Sequence, residues 1–174
     1  HEAFMAMQAG LVDTAIVGAV NMLLSPYPFV GFSAATMLSK VGLCQAFDSK
    51  GDGYVRSEGA VVFVLRSLET AIANNDRVLG VISGAGINSD GRTTGVSLPS
   101  GDQQRALLDD VYQRFAINPA KLAFIEAHGT GTRAGDPIET WALGQALGQR
   151  RETPLPIGSA KTNVGHLEAG SGLV

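Results

Sequence analysis

Apolar positions along this chain fall into short runs separated by turn formers, and nearly every run is strand-sized rather than helix-sized. Thr14–Val20 and Ala60–Leu65 are continuous stretches of Val, Ile and small residues. Such runs predict short strands, the first buried on both faces. Val78–Ile87, Leu122–Ala127 and Pro156–Ala160 predict three more. Helical signals alternate with them. Residues 2–9 are helix formers stopped by Gly10, and Ser67 caps a helix through about Asn74. Ser100 and Gln103 make a capping-box pair ahead of Leu107, Leu108, Val111, Tyr112 and Phe115, which share one helical face. Asp136 as cap, Pro137 at the first position and Glu139 at the third predict a helix running to about Leu147. Ser25–Lys40 reads as a loop or short helical turns, and Asn88–Ser100 as a loop. Alternating strands and helices imply an α/β layered fold with parallel strands.

The chain has 174 residues, 45% of them hydrophobic and 17% charged, enough for a compact core. Its 22 glycines imply tight turns and close backbone approaches. A net charge of −3 argues against nucleic acid as a partner. No apolar run is long enough to cross a membrane. The single cysteine, Cys44, cannot form an internal disulfide, and there is no Cys/His spacing for zinc, which together suggest a cytoplasmic protein. His1–Met7 reads as the middle of a helix, and Gly170–Val174 stops where an apolar segment is starting. The sequence is therefore expected to be an internal piece of a longer protein.

Two histidine-bearing turns concentrate the chemistry. In Glu126-Ala127-His128-Gly129-Thr130-Gly131-Thr132 a strand runs into a glycine-spaced turn with two short hydroxyls. In Gly158-Ser159-Ala160-Lys161-Thr162-Asn163-Val164-Gly165-His166 a second strand ends in a turn holding a cation and an imidazole. Strand ends in α/β proteins are where ligands usually bind.

His-Gly-Thr-Gly-Thr followed by Gly-Asp-Pro-Ile-Glu, together with Lys-Thr-Asn-Val-Gly-His-Leu-Glu, resembles the two histidine motifs of the β-ketoacyl synthases. Asp52–Ala60 is similar to a further stretch of that family, and the three occur in matching order and spacing. The form with Gly131 between the threonines looks most like the ketosynthase domains of type I modular polyketide synthases. The resemblance implies a thiolase-like fold with layered αβαβα architecture, present here in part. Residues 1–98 would be the end of the first half and 99–174 the start of the second. It also implies a homodimer, neighbouring synthase domains, and substrates delivered on the phosphopantetheine of an acyl carrier protein, with no cofactor or metal bound.

The reaction so implied is decarboxylative condensation of an acyl thioester with a malonyl unit. By residue-by-residue matching, His128 and His166 would hold the enolate oxyanion, and Lys161 would pair with Glu139 and order them. Thr130 and Thr132 would hydrogen-bond the pantetheine amides, and Phe32 would line the acyl pocket. The nucleophilic cysteine is expected upstream of His1. Cys44 lies outside the nucleophile turn and is expected to be buried and inert. The fragment alone should not condense anything, and its incomplete core predicts poor solubility or partial unfolding.

Other readings of the same residues stay open. Glu139 is explained equally well as a helix cap, Phe32 as a plain core residue, and Glu168 as a first-turn acid favoured by the helix dipole. Arg56 and Glu58 are expected to form a local ion pair. Asp48–Gly59 lacks the acidic positions of a calcium loop, and Gly84-x-Gly86 lacks the third glycine of a dinucleotide site. A non-condensing relative, a docking module, and a metal-dependent hydrolase using His128, His166, Asp136 and Glu139 are the rival functions.

Overall fold

A computed structural model of the chain describes residues 1–95, 97–149 and 151–174. Helix α1 (Glu2–Gln8) leads into β1 (Thr14–Asn21), and α2 (Tyr27–Ala34) opens the long excursion to β2 (Gly59–Arg66). Helices α3 (Leu68–Ala73) and α4 (Gly101–Arg114) follow, then β3 (Ile125–Glu126), α5 (Gly135–Leu143), β4 (Ile157–Gly158) and α6 (Lys161–Val164).

The two sheets differ in direction. β3 and β4 pair in parallel, Ile125 opposite Ile157 and Glu126 opposite Gly158, as the alternating pattern predicts. β1 and β2 pair antiparallel from Thr14–Arg66 to Asn21–Gly59, contrary to the parallel expectation. Their connection carries the chain out through α2 and back to the neighbouring edge in the opposite direction, which an antiparallel ladder accommodates.

β1 is not buried on both faces. Its residues alternate between exposed and half-buried, with Ile16 75% exposed. One face packs on α1 and on the turn at Glu168–Gly170, while among the described residues no helix or strand packs closely on the other. Residues 78–87 form no strand. Instead they run across the apolar face of α4, where Gly84 lies against Phe115 and Gly86 against Val111 and Leu107. A strand needs a neighbouring backbone for its ladder, and among the described residues none lies beside this segment.

Helix starts follow their side-chain caps at two of three predicted sites. The Ser67 hydroxyl accepts from the Thr70 N–H, and the Ser100 hydroxyl from the Gln103 N–H. The return half of the Ser100 box is supplied by Asp90, whose carboxylate accepts from the Ser100 N–H at 3.2 Å, rather than by Gln103. Asp136 is not the cap of α5. The helix begins at Gly135, two residues before the expected Pro137, with Ala134 as its N-cap, and the Thr132 hydroxyl accepts from the Gly135 N–H. α5 closes in a π-helical turn at Gly144–Gly148, whose Ala146 and Leu147 are buried together with Ala142. Phe4 of α1 meets Phe115, just after α4, edge to face at 5.6 Å and ties the N-terminal helix to the second sheet's helices.

Candidate active site

The parallel pairing of β3 and β4 sets the two histidine turns side by side. The Ala127 N–H donates to Gly158 O at 2.8 Å, the Glu126 carboxylate accepts from the Ala160 N–H, and the Ser159 hydroxyl donates to His128 O. As a result the His128 and His166 rings stand edge to face with centroids 5.5 Å apart. Two ring N–H groups at that separation can reach one oxygen through bonds of about 2.9 Å each.

The third motif braces both turns. Gly53 N–H donates to Gly131 O, and the backbone of Val55 and Ser57 bridges His166: its N–H donates to Val55 O at 2.7 Å and its carbonyl accepts from Ser57 N–H at 3.0 Å. Gly53 has φ 144°, and a Cβ there would stand 2.5 Å from the Met37 carbonyl, so only glycine lets the strip pass this close. The Tyr54 ring lies 4.8 Å from the His166 ring and in turn meets Phe32 at 6.2 Å. Phe32 is thus joined to the histidines through Tyr54.

His166 Nδ1 accepts a hydrogen bond from the Glu168 N–H at 2.9 Å. That bond makes Nδ1 the unprotonated nitrogen and leaves the proton on Nε2. Burial, then the proximity of His128 and Lys161, push the His166 imidazole down to about 4. Burial followed by Lys161 also lowers His128, against the opposing pull of Glu139 and Asp136. Both rings are therefore neutral donors near pH 7. Lys161 is 6% exposed, and burial lowers its pKa against the pull of Glu126, Glu139 and Cys44.

Lys161 and Glu139 are not an ion pair: among the described residues no carboxylate lies within 4 Å of the Lys161 ammonium. The Glu139 carboxylate is taken up by backbone, accepting from the N–H groups of His128 at 2.7 Å and Gly129 at 2.9 Å. Buried Asp136 does the same one turn earlier, accepting from Phe47 N–H and Gly131 N–H. Two acids at i and i+3 of one helix face thus hold the whole His128 turn.

These commitments also dispose of the metal-hydrolase donor set. Asp136 and Glu139 are spent on backbone, and no group of three His, Cys, Asp or Glu among the described residues comes together around a metal position. Thr130 is buried, and its hydroxyl lies 3.0 Å from that of Thr132, which accepts from the Gly135 N–H at the start of α5. Cys44 is buried, with the Val55 N–H donating to Sγ at 3.0 Å. Arg56 does not pair with Glu58, whose carboxylate accepts from Leu23 N–H. Its guanidinium makes a two-pronged pair with Glu168, which heads a 3₁₀ turn and not an α-helix. Two cavities of about 460 and 490 Å³ are lined by other residues, and neither includes a histidine.

Comparison with known sequences matches residues 1–71 to the N-terminal domain of β-ketoacyl synthases and residues 79–174 to their C-terminal domain. This chain belongs to the β-ketoacyl synthase family. Among similar proteins is a phenolphthiocerol/phthiocerol polyketide synthase of Mycobacterium tuberculosis, 46% identical over 99% of this chain and 9% of that protein. A reducing polyketide synthase of Cochliobolus heterostrophus is 43% identical over 99% of this chain and 7% of its own length. The solved ketosynthase from module 6 of the Bacillus subtilis bacillaene synthase superposes with a TM-score of 0.96 at 40% identity, covering 99% of this chain and 31% of that one. An oxazolomycin ketosynthase domain from Streptomyces albus gives a TM-score of 0.93 at 36% identity, over 99% of this chain and 30% of its own. This β-ketoacyl synthase chain therefore carries part of the thiolase-like fold. It spans under a tenth of the polyketide synthases it matches and about a third of the solved ketosynthases. Among its described residues no helix is long and apolar enough to cross a membrane.

Proposed function

We propose that this chain supplies the decarboxylation half of a polyketide-synthase ketosynthase, an acyltransferase that condenses an acyl thioester with a malonyl unit on an acyl carrier protein. In that reaction the electron pair of the bond to carbon dioxide passes into the thioester, and the carbonyl oxygen becomes an enolate oxyanion. The enolate carbon then attacks the acyl thioester and expels the cysteine thiolate. His166 Nε2–H and an N–H of His128 donate to the oxyanion. Preorganised donors of this kind are often the largest catalytic contribution. Neutral imidazoles do it without burying a full positive charge. Burial, with the nearby Lys161 charge added to it, keeps both rings neutral, and Glu139 and Asp136 hold the His128 turn in place. Thr132, backed by Thr130, presents its hydroxyl to the pantetheine arm, and Phe32 lines the acyl side. The thiol that carries the acyl chain is not Cys44, and it works beside these residues in a full domain that operates as a homodimer among other synthase domains.

The observation that carries this reading is that His128, just past β3, and His166, just past α6, stand with ring centroids 5.5 Å apart and with one tautomer already set. The test is carbon dioxide release from malonyl-carrier by the full ketosynthase domain containing these residues. Replacing either histidine by Ala should slow release roughly 10²–10³-fold while loading of the cysteine stays close to normal. Normal release in both variants would remove the proposal. Release without condensation in the unaltered domain would make it a non-condensing decarboxylase.

A further inference from the structure

The Arg56–Glu168 pair adjoins His166 and has no part in the reaction as described so far. Arg56 is 9% exposed, and its guanidinium is stacked over Phe29 at 4.5 Å and Phe32 at 5.3 Å. It donates through Nε and Nη2 to both oxygens of Glu168. At the level of the backbone, Arg56 is the residue bridged to His166 itself. The strip therefore grips the His166 turn twice, through main chain at residue 166 and through the Arg56 side chain at residue 168.

Glu168 has φ 46°, a left-handed conformation that a side-chain-bearing residue adopts only when its surroundings enforce it. The Leu167 dihedrals, φ −80° and ψ 15°, turn the Glu168 N–H back onto His166 Nδ1, and the left-handed φ of Glu168 then directs the chain into the 3₁₀ turn. Sequence neighbours alone do not impose it. Gly170 and Ser171 complete the 3₁₀ turn after it, but the contact that fastens Glu168 to the rest of the fold is the bidentate guanidinium.

We propose that Arg56 and Glu168 are positioning residues that set the tautomer of His166: the ion pair fixes residue 168 in place, its N–H occupies Nδ1, and the proton is kept on Nε2, where it faces the reacting oxygen. The inference rests on the ketosynthase reading for its catalytic consequence, but not for its structural one. Partners behind working histidines typically change activity roughly 10–100-fold when removed.

The experiment uses the full ketosynthase domain with ¹⁵N-labelled histidine, whose two ring-nitrogen resonances report which one carries the proton. Two variants break the clamp differently. Arg56→Met removes the guanidinium and keeps apolar volume between Phe29 and Phe32. Glu168→Gly keeps the backbone N–H and relieves the left-handed strain, but loses the carboxylate. Both should move His166 from a single Nε2–H tautomer to a mixture, and both should lower kcat for carbon dioxide release about 10–100-fold with KM within about twofold. Arg56→Lys, which cannot make the two-pronged contact, should recover only part of the rate. Should Arg56→Met fail to fold, Glu168→Gly carries the test alone. A folded Glu168→Gly domain with a pure Nε2–H tautomer and unaltered kcat would overturn the inference. A tautomer shift with unaltered release would leave the positioning intact and sink the ketosynthase role of His166 instead.

Discussion

Replacing Glu139 by Ala strands two backbone N–H groups, those of His128 and Gly129, which donate to its carboxylate at 2.7 and 2.9 Å. A hydrogen bond to a charged acceptor contributes about 1.5–3 kcal/mol. His128 is exposed enough for water to replace its partner, so its share falls at or below the lower end; Gly129 is buried and its share does not. The expected loss is about 2–4 kcal/mol, clearly above the ~1 kcal/mol of a simple cap. Because the stranded groups belong to the His128 turn, carbon dioxide release should fall with stability, roughly 10–100-fold. Glu139→Gln should be intermediate, since its amide oxygen serves one N–H while its NH₂ faces the other. Lys161→Ala combined with Glu139→Ala should show a coupling energy under about 1 kcal/mol, as for charges that feel each other without touching. Urea unfolding of the full domain and release from malonyl-carrier with the loading cysteine blocked measure both quantities. Stability within about 1 kcal/mol of the unaltered domain with normal release would refute the bracing role. A coupling of about 3 kcal/mol would restore a direct Lys161–Glu139 pair.

Acid should destabilise the domain partly through His166, whose folded value of about 4 lies below the ordinary 6.5. Above pH 6.5 the ring is neutral in both states; between 6.5 and 4 the unfolded chain takes up a proton the fold refuses, so stability falls with pH. Solvent access to the half-buried ring reduces the effect from about 3 to about 1–2 kcal/mol, and His166→Gln should flatten the pH dependence of unfolding by that amount; an unchanged slope would contradict it. Gly129→Ala should cost about 2–4 kcal/mol, because φ is 46° and the new Cβ would stand 2.6 Å from the Ser159 Cβ; a melting temperature equal to the parent's would count against the packing described. Cys44 should stay unmodified when this chain meets an acyl-thioester donor, and rapid stoichiometric acylation by intact mass would show the buried thiol to be reactive after all.

Much of the site was legible from the residues because it depends on local geometry. A strand that ends in a glycine-spaced turn places His128 and Thr130 at a strand tip whatever the rest of the fold does, and Lys161 follows β4 in the same way, whereas His166 lies beyond α6 and is held by its bridge to Arg56. Ser67 and Ser100 cap their helices for the same local reason. What a carboxylate does was not legible. Asp136, Glu139, Glu168 and Glu58 each carry a plausible local partner in sequence, yet each is bound to backbone or to a cation brought in by the fold. An acceptor satisfies whichever donor the packing leaves nearest, and the N–H groups of His128 and Gly129 come within reach only once α5 folds back over its own preceding turn. Strand direction failed for a similar reason: the apolar run of β1 specifies a strand but not which neighbour it meets, and residues 78–87 have strand composition without, among the described residues, a backbone beside them to pair with. Sequence by itself determined which residues stand at the strand ends. Only the tertiary structure decided which of them touch, because the short β3–β4 pairing and the bridge from Arg56 to His166 together set the two histidines ring against ring.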